Sequence, residues 1–504
     1  MFRSAARRTG LVAVTAAMLL TVFSSCVRNP DTPPASLPGN EILAFTDEKE
    51  AADAIYRLQG TKFETGLYEK EDLLAFENAA AEAVRYLRRN KDDEDYLERC
   101  TELYRALLTA KESMRIRTGD TPRVYIYCME EPTTEGYVPC SVYVADRKDG
   151  NLPSFGDTAA QIRIRGNSTA AAEKKPFNII LSSDREMLGM EKGSKWALLA
   201  NHFDKTLLRN KLALDLAMEA GCFAALDSRM AEVYVNGKLN GLYLVCEPVT
   251  DGKHRTGIDL SAGDFMVERV KNWAGEEKHM FYTSKMGLRF DVNYGDDRQA
   301  AALIDRAEAV ILSGDEETIW EILDVDSFAS MVAVQEMVKD CDLFYGNCHL
   351  CWKDGKLFCG PMWDMDLSMG NVSVRHEEDK YRLYNNLSPF GDGSGDSANG
   401  LWADGEWFGE LLKCAFFRDL VVERFRALDG VFAGLYADGG EIDRLINEYG
   451  NAMERNYTDA GWKLNERASP YETRTRFGTY EEAVSDLRAW LQRRHTFLKN
   501  AYGF

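Results

Sequence analysis

Asp342 and Asn347 stand five positions apart, and two further acids, Asp364 and Asp366, follow after an apolar stretch. Carboxylate and amide oxygens are the ligands a hard divalent cation takes, and Mg²⁺ is commonly held by one or two carboxylates together with phosphate oxygens. These residue types therefore suit metal-assisted phosphoryl transfer, where a protein contributes positioning and charge stabilisation more than covalent chemistry. Upstream, Arg165-Gly166-Asn167-Ser168-Thr169 precedes Lys174-Lys175. Main-chain N–H groups, hydroxyls and a cationic side chain in that order can cradle phosphates. The plainer reading is a polar turn with solvated lysines. Lys205 and Arg209 are further cations that suit a solvated helix face equally well.

A hairpin is the element that must bring the acids together. Asp354-Gly355 lies between two apolar runs, a type I′ turn signal. With that turn, Lys353 pairs with Lys356, Cys351 with Phe358 and Leu350 with Cys359. Continued in the same register, Asn347 falls opposite Met362 and Tyr345 opposite Asp364. Asp342 lies in the loop feeding the first strand. The catalytic loop of protein kinases has the same Asp-to-Asn interval and is followed by a metal-binding acid in D-F-G. WDMD, Trp363 to Asp366, occupies that slot.

Around this hairpin the pattern changes along the chain. Residues 41–118 mix charged and apolar residues at helical spacing. From Arg123, RVYIYC, VPCSVYVAD, AQIRIRG, PFNIIL and KWALLAN read as strands. Asp204 suits a helix N-cap before Leu208, Leu212 and Leu216, with Gly221 placed to end the helix. AEVYV-Asn236-Gly237-KLNGLYLVCE is a second hairpin, and Glu247-Pro248-Val249 follows it as a hinge. Helical spacing then dominates over Ala300–Leu312, Ser327–Val338, Trp407–Leu428, Glu441–Tyr457 and Tyr480–Ala501, with a loop by composition at Gly391–Gly400.

The chain has 504 residues, 45% of them hydrophobic, and a formal net charge of −20 from 61 Lys+Arg against 81 Asp+Glu. That balance excludes wholesale disorder, a general nucleic-acid binder and electrostatic docking onto anionic lipid. Arg3, Arg7 and Arg8 precede a charge-free run, Leu11 to Phe23, and then Ser24-Ser25-Cys26, a secretory leader. Its ending resembles a bacterial lipobox, with Phe23 where Leu is usual, so Cys26 is the expected lipidation site. The proline-rich stretch 26–40 reads as a tether. The expected location is extracytoplasmic, lipid-anchored to a bacterial membrane.

Other motifs yield to plainer readings. Gly189 to Lys195 lacks Walker A spacing, and a strand follows it. Cys348 and Cys351, three apart on a strand, point to opposite faces and read as small core hydrophobes, as Trp196, Trp352 and Trp363 read as core.

RIRGNST…KKPFNIIL, LGMEKGSKWALLANHFDKTLLRNKLALDLA, AEVYVNGKLNGLYLVCE and GPMWDMDLSMGN together resemble the CotH kinase family, the secreted kinases related to spore coat protein H. The resemblance implies an α+β fold, an atypical bilobal protein-kinase-like domain over 119–504. A β-rich N-lobe would occupy about 119–249 and a mostly helical C-lobe 250–504, after the helical segment 41–118. It implies ATP with Mg²⁺ or Mn²⁺ and transfer to Ser/Thr hydroxyls of an unidentified acceptor protein. By the same likeness Asp342 is the catalytic aspartate. Asn347 and Asp364, with Asp366 as the alternative acid, hold metal, while Arg165, Asn167, Ser168, Lys175 and Glu247 contact nucleotide. The sequence lacks G-x-G-x-x-G-x-V, V-A-I-K, H-R-D, D-F-G and A-P-E. A catalytically silent surface-binding protein and a two-carboxylate glycoside hydrolase are the rival classes.

Overall fold

The structure is a computed structural model that describes residues 45–60, 70–91, 93–113, 121–145, 155–252, 255–270, 279–371, 398–466 and 477–504. The expected leader, Cys26 and the tether lie outside the described residues, as does most of the stretch 391–400. Three helices occupy the first part: α1 (Glu48–Gln59), α2 (Lys70–Arg89) and α3 (Tyr96–Glu112). Apolar residues at helical spacing give each one a packing stripe, and Ala51, Ile55, Ala83, Leu87, Tyr96, Cys100 and Leu103 bury one another. Compactness divides the chain into one unit of 1–125, 143–156 and 234–239 and another of 126–142, 157–233 and 240–504. The second contains every candidate nucleotide, metal and catalytic residue.

The fold is α+β. Seven strands follow: β1 (Arg123–Cys128), β2 (Val138–Ala145), β3 (Phe155–Ile164), β4 (Phe177–Met187), β5 (Met190–Leu199), β6 (Ser228–Val235) and β7 (Lys238–Cys246). Their sheet closes into a barrel in the order β1-β2-β3-β4-β5-β7-β6. The strands themselves follow from Val, Ile and Tyr at alternating spacing, but closure does not. It needs β5 to pair with β7 across an intervening helix, with Ala197 opposite Cys246 and Leu199 opposite Leu244. Asn236 and Gly237 both take positive φ, 49° and 83°, as a type I′ turn demands.

A second sheet has the order β12-β11-β8-β10-β9. Its strands are β8 (Phe265–Arg269), β9 (Met280–Tyr282), β10 (Arg289–Tyr294), β11 (Cys348–Lys353) and β12 (Lys356–Met362). The region after residue 250 thus carries strands beside its helices, and β8 to β10 escape the sequence pattern because they are short and weakly alternating. Its helices are α5 (Asp297–Ser313), α6 (Glu316–Ile322), α7 (Val325–Val338), α8 (Glu406–Lys413), α9 (Ala415–Tyr436), α10 (Glu441–Thr458) and α11 (Tyr480–Tyr502), with α4 (Arg209–Glu219) between β5 and β6. Asp296, Asp315, Asp324 and Thr479 cap four of them through side-chain oxygens. The single helix expected over Trp407–Leu428 is two helices, broken at Cys414, whose ψ of 127° is extended. Helix α7 is buried on all sides, from Ser327 through Val338, and forms the centre of the large core. Among the described residues, no helix is long and apolar enough to cross a membrane.

Candidate active site

The hairpin of β11 and β12 keeps the expected register from Lys353↔Lys356 to Leu350↔Cys359. Asp354 and Gly355 at its turn have φ of 52° and 82°. A bulge then shifts the pairing by one, so that Cys348 lies opposite Met362 and the expected opposition of Asn347 and Met362 is lost. Gly360, at φ 138°, sits in that irregularity, and a Cβ there would lie 2.4 Å from Phe223 O. Such a slip depends on a tertiary approach that strand alternation does not encode.

Asn347 and Asp364 nonetheless meet. Asn347 Nδ2 donates to the main-chain oxygen of Asp364 at 3.0 Å and to Asp340 Oδ2 at 3.1 Å. The two segments are joined further by Cys341 N to Leu367 O at 3.2 Å and Met369 N to Val338 O at 2.6 Å. Asp342 lies two residues from Asp340, and its N–H donates to Asp340 Oδ1 at 3.0 Å. Asp364 itself has φ of 59°, a left-handed conformation that is uncommon outside glycine.

The acids crowd one another. Burial pushes the Asp366 carboxyl well above its ordinary value, and the charges of Asp364, Asp342, Asp204 and Asp340 push the same way. Burial also raises Asp340, reinforced by Asp342, and raises Asp364, partly offset by the Arg165 guanidinium. Oxygen donors held in mutual repulsion fit a divalent cation, whose charge would relieve it. Among the described residues, no three His, Cys, Asp or Glu side chains converge as a metal site. The residues that could hold such an ion are Asp364 and Asp366 with the Asn347 amide oxygen, a donor set of the size proteins supply to Mg²⁺.

The loop that carries these acids is fastened to the segment before α4. Arg209 forms a buried pair with Asp204 at 2.5 Å, and its Nε and Nη2 donate to Ser368 O and Met369 O at 3.1 and 3.4 Å. Asn210 Oδ1 accepts from Met365 N at 2.7 Å, and Asn371 Nδ2 donates to Phe203 O at 3.0 Å. Asp204 is not the expected N-cap: its Oδ2 accepts from Arg209 N at 2.8 Å, but the cap position is Leu208 and the helix starts four residues later than expected. Lys205 and Arg209 therefore do not lie on a solvated face. Lys205 donates to Lys463 O at 2.8 Å, and both are buried.

A cavity of about 310 Å³ reaches Trp363 and Arg165, but Asp342, Asn347, Asp364, Asp366, Asn167, Ser168 and Lys175 do not line it. Arg165 after β3, Asn178 on β4, Pro248 and Val249 after β7, Met266 and Glu268 on β8, Tyr294 on β10, His349 on β11 and Trp363 after β12 line it. Its size and mixed lining suit a small ligand. The Arg165 guanidinium stacks 4.7 Å from the centre of the Trp363 ring. Glu247 does not line the cavity, because its carboxylate pairs with Arg255 and accepts from Asp227 N at 3.1 Å. Asn167 and Ser168 are exposed on the turn that Gly166 permits at φ 88°. Lys175 Nζ donates to Ala170 O at 2.9 Å. Lys174 is the buried lysine, bonded to Leu242 O at 2.6 Å and Asn456 Oδ1 at 2.8 Å, and burial holds its amine well below the usual range. A larger cavity, about 680 Å³ on α1 and α2, is lined by Phe76, Ala80, Arg85 and Arg88 among others. Trp363, next to Asp364 in the chain, and Arg165, whose charge acts on Asp364, line the smaller cavity and not this one, so the smaller is the better candidate.

The sequence left Asp340, Glu268 and His349 without a role, and Trp363 was placed in the core. Asp340 carried a signal in its two-residue spacing from Asp342. Glu268 and His349 carried none, because only the pairing of β8 with β11 sets them opposite each other. Trp196 and Trp352 are core residues, and Cys348 and Cys351 are buried and unbridged.

The profile of a family described as CotH kinase protein matches residues 162–498, two thirds of the chain, and includes all of this site. Inner spore coat protein H of Bacillus subtilis strain 168 is 25% identical over 221 residues. That match covers 42% of this chain and 58% of the relative, so the chain spans little more than half the relative's length.

Proposed function

The chain belongs to the CotH kinase protein family, and from that premise we propose that it transfers the γ-phosphoryl group of ATP to a Ser or Thr hydroxyl of another protein. The observation that carries the reading is the Asn347 amide, which bonds the segment bearing Asp364 and Asp366 to the loop bearing Asp342. The barrel and the second sheet, with the cavity their strands line, are read as a kinase-like pair of lobes. A bound Mg²⁺ or Mn²⁺ would neutralise charge that develops on the phosphates during transfer. Asn347 Oδ1, Asp364 and Asp366 are the oxygen donors that would hold it.

The chain's own groups have separate tasks. Asp342 orients the acceptor hydroxyl and takes its proton as the new O–P bond forms. Arg165, beside Asp364 and stacked on Trp363, supplies positive charge at the phosphate end of the cavity. Lys175 and the turn at Asn167 and Ser168 add to that charge once Lys175 exchanges its bond to Ala170 O for phosphate. Pro248 and Val249 pack against the base, while Glu247 holds that segment through Arg255 and acts on nucleotide only indirectly. Placement outside the cytoplasm, lipidation at Cys26 and a coat or surface acceptor belong to the same proposal. They rest on the leader-like N-terminus and on the relative's being an inner spore coat protein.

The test is incubation of the purified chain with γ-labelled ATP and Mg²⁺ or Mn²⁺, beside Asp364→Ala. Label on protein with the first and none with the second supports the reading. Nucleotide binding with no label on protein would establish the rival, a surface-binding protein that keeps the fold.

A further inference from the structure

Asn347 is held from two sides, and its orientation is forced. Its Nδ2 lies 3.0 Å from the main-chain oxygen of Asp364, which can only accept, so the NH₂ must face it. The second proton of that NH₂ goes to Asp340 Oδ2 at 3.1 Å. With both protons committed, Oδ1 is the atom of the amide left to act as a ligand. The other oxygen of Asp340 accepts from Asp342 N at 3.0 Å. One carboxyl thus grips both ends of the Asp342–Asn347 interval. Asp340 is itself 0% exposed, and Trp402 Nε1 donates to its main-chain oxygen at 2.7 Å. A carboxyl with no access to solvent costs stability unless its bonds are needed.

We propose that Asp340 is a positioning residue that aims the Asn347 amide oxygen at the metal while fixing the main chain of Asp342. The inference rests on the reading above, in which Asn347 and Asp364 bind Mg²⁺ or Mn²⁺. Asp340→Asn conserves volume but cannot accept from both partners. If its Oδ1 keeps the bond to Asp342 N, its NH₂ meets the NH₂ of Asn347, donor against donor, and the amide turns away. Loss of a group that orients a ligand lowers metal affinity about 10- to 100-fold.

The experiment is a titration of the full chain with Mn²⁺, alone and with a non-hydrolysable ATP analogue, followed by calorimetry and water-proton relaxation. Wild type, Asp340→Asn, Asn347→Ala and the double variant form a cycle. Asp340→Asn is expected to weaken Mn²⁺ binding about 10- to 100-fold in the wild-type background and less than about threefold beside Asn347→Ala. Its melting temperature should be unchanged or higher. Equal losses in both backgrounds would mean that Asp340 does not act through Asn347, and unchanged affinity in the single variant would mean that it does not position at all. Either result overturns the proposal while leaving the metal site intact. A wild-type chain that takes up no Mn²⁺ overturns the metal reading as well. Asp340→Ser, whose hydroxyl meets neither donor in place, provides a second cycle if the asparagine variant does not fold.

Discussion

Arg209→Met removes the guanidinium that fastens the acid-bearing loop. Arg209 and Asp204 have 4% and 0% side-chain exposure, so the variant strands a buried carboxylate. Removing one partner of such a pair costs about 3–5 kcal/mol. Asp204 keeps three donors, the N–H and hydroxyl of Thr206 and the N–H of residue 209, which puts the expected loss near the lower figure. Unfolding entropy is about 2.1 cal/mol/K per residue, or about 0.7 kcal/mol/K over roughly 340 residues, so about 3 kcal/mol lowers the melting temperature by about 4 °C. Ser368 O and Met369 O lose their donors at the same time, and the loop that carries Asp364 and Asp366 loosens. Asp204→Asn with Arg209→Met removes the stranded charge without restoring the fastening. Calorimetric melting and Mn²⁺ titration separate the two effects. The double variant should recover most of the melting temperature but little of the Mn²⁺ affinity. A single variant that melts within about 1 °C of wild type would refute the stability argument. A double variant that recovers both properties would refute the link between fastening and metal binding.

Gly370→Ala should destabilise by about 1–3 kcal/mol in a denaturant titration. Its φ is 80°, and a Cβ would lie 2.5 Å from Trp490 Cδ1. Burial, with the charges of Lys205, Lys174 and Lys175, holds the half-buried His202 imidazole down to about 4. The unfolded chain therefore protonates first as pH falls, so the contribution is whole above about 6.5 and is lost on the way to 4. Melting curves between those limits should be flatter for His202→Gln, by at most about 3 kcal/mol across the window. Equal slopes would show that the ring is not held neutral. Lys174→Met should lower the melting temperature, because the buried Leu242 O loses its lysine donor and Asn456 Oδ1 keeps only Leu242 N. Lys175→Met should melt as wild type and bind ATP about tenfold more weakly by calorimetry, the loss of one charged hydrogen bond.

Local sequence determined the strands of the barrel and of the β11–β12 hairpin with their turns, but not β8 to β10. Asn236-Gly237 and Asp354-Gly355 tolerate positive φ, and apolar residues at period two flank both turns. It also determined the existence of the long helices, through period and caps, and the Asp342–Asn347 interval followed by two acids. Barrel closure, the five-stranded sheet and the burial of Arg209 and Lys205 were decided only by tertiary structure, because each depends on partners far away in the chain. The same holds for the choice between the two lysines. Lys174 and Lys175 are adjacent and chemically alike, and only the approach of Leu242 and Asn456 makes one a structural tie and leaves the other near the surface. Asp340 shows the limit most plainly. Its spacing was visible, but its bonds to both Asn347 and Asp342 exist only once the chain has folded back on itself.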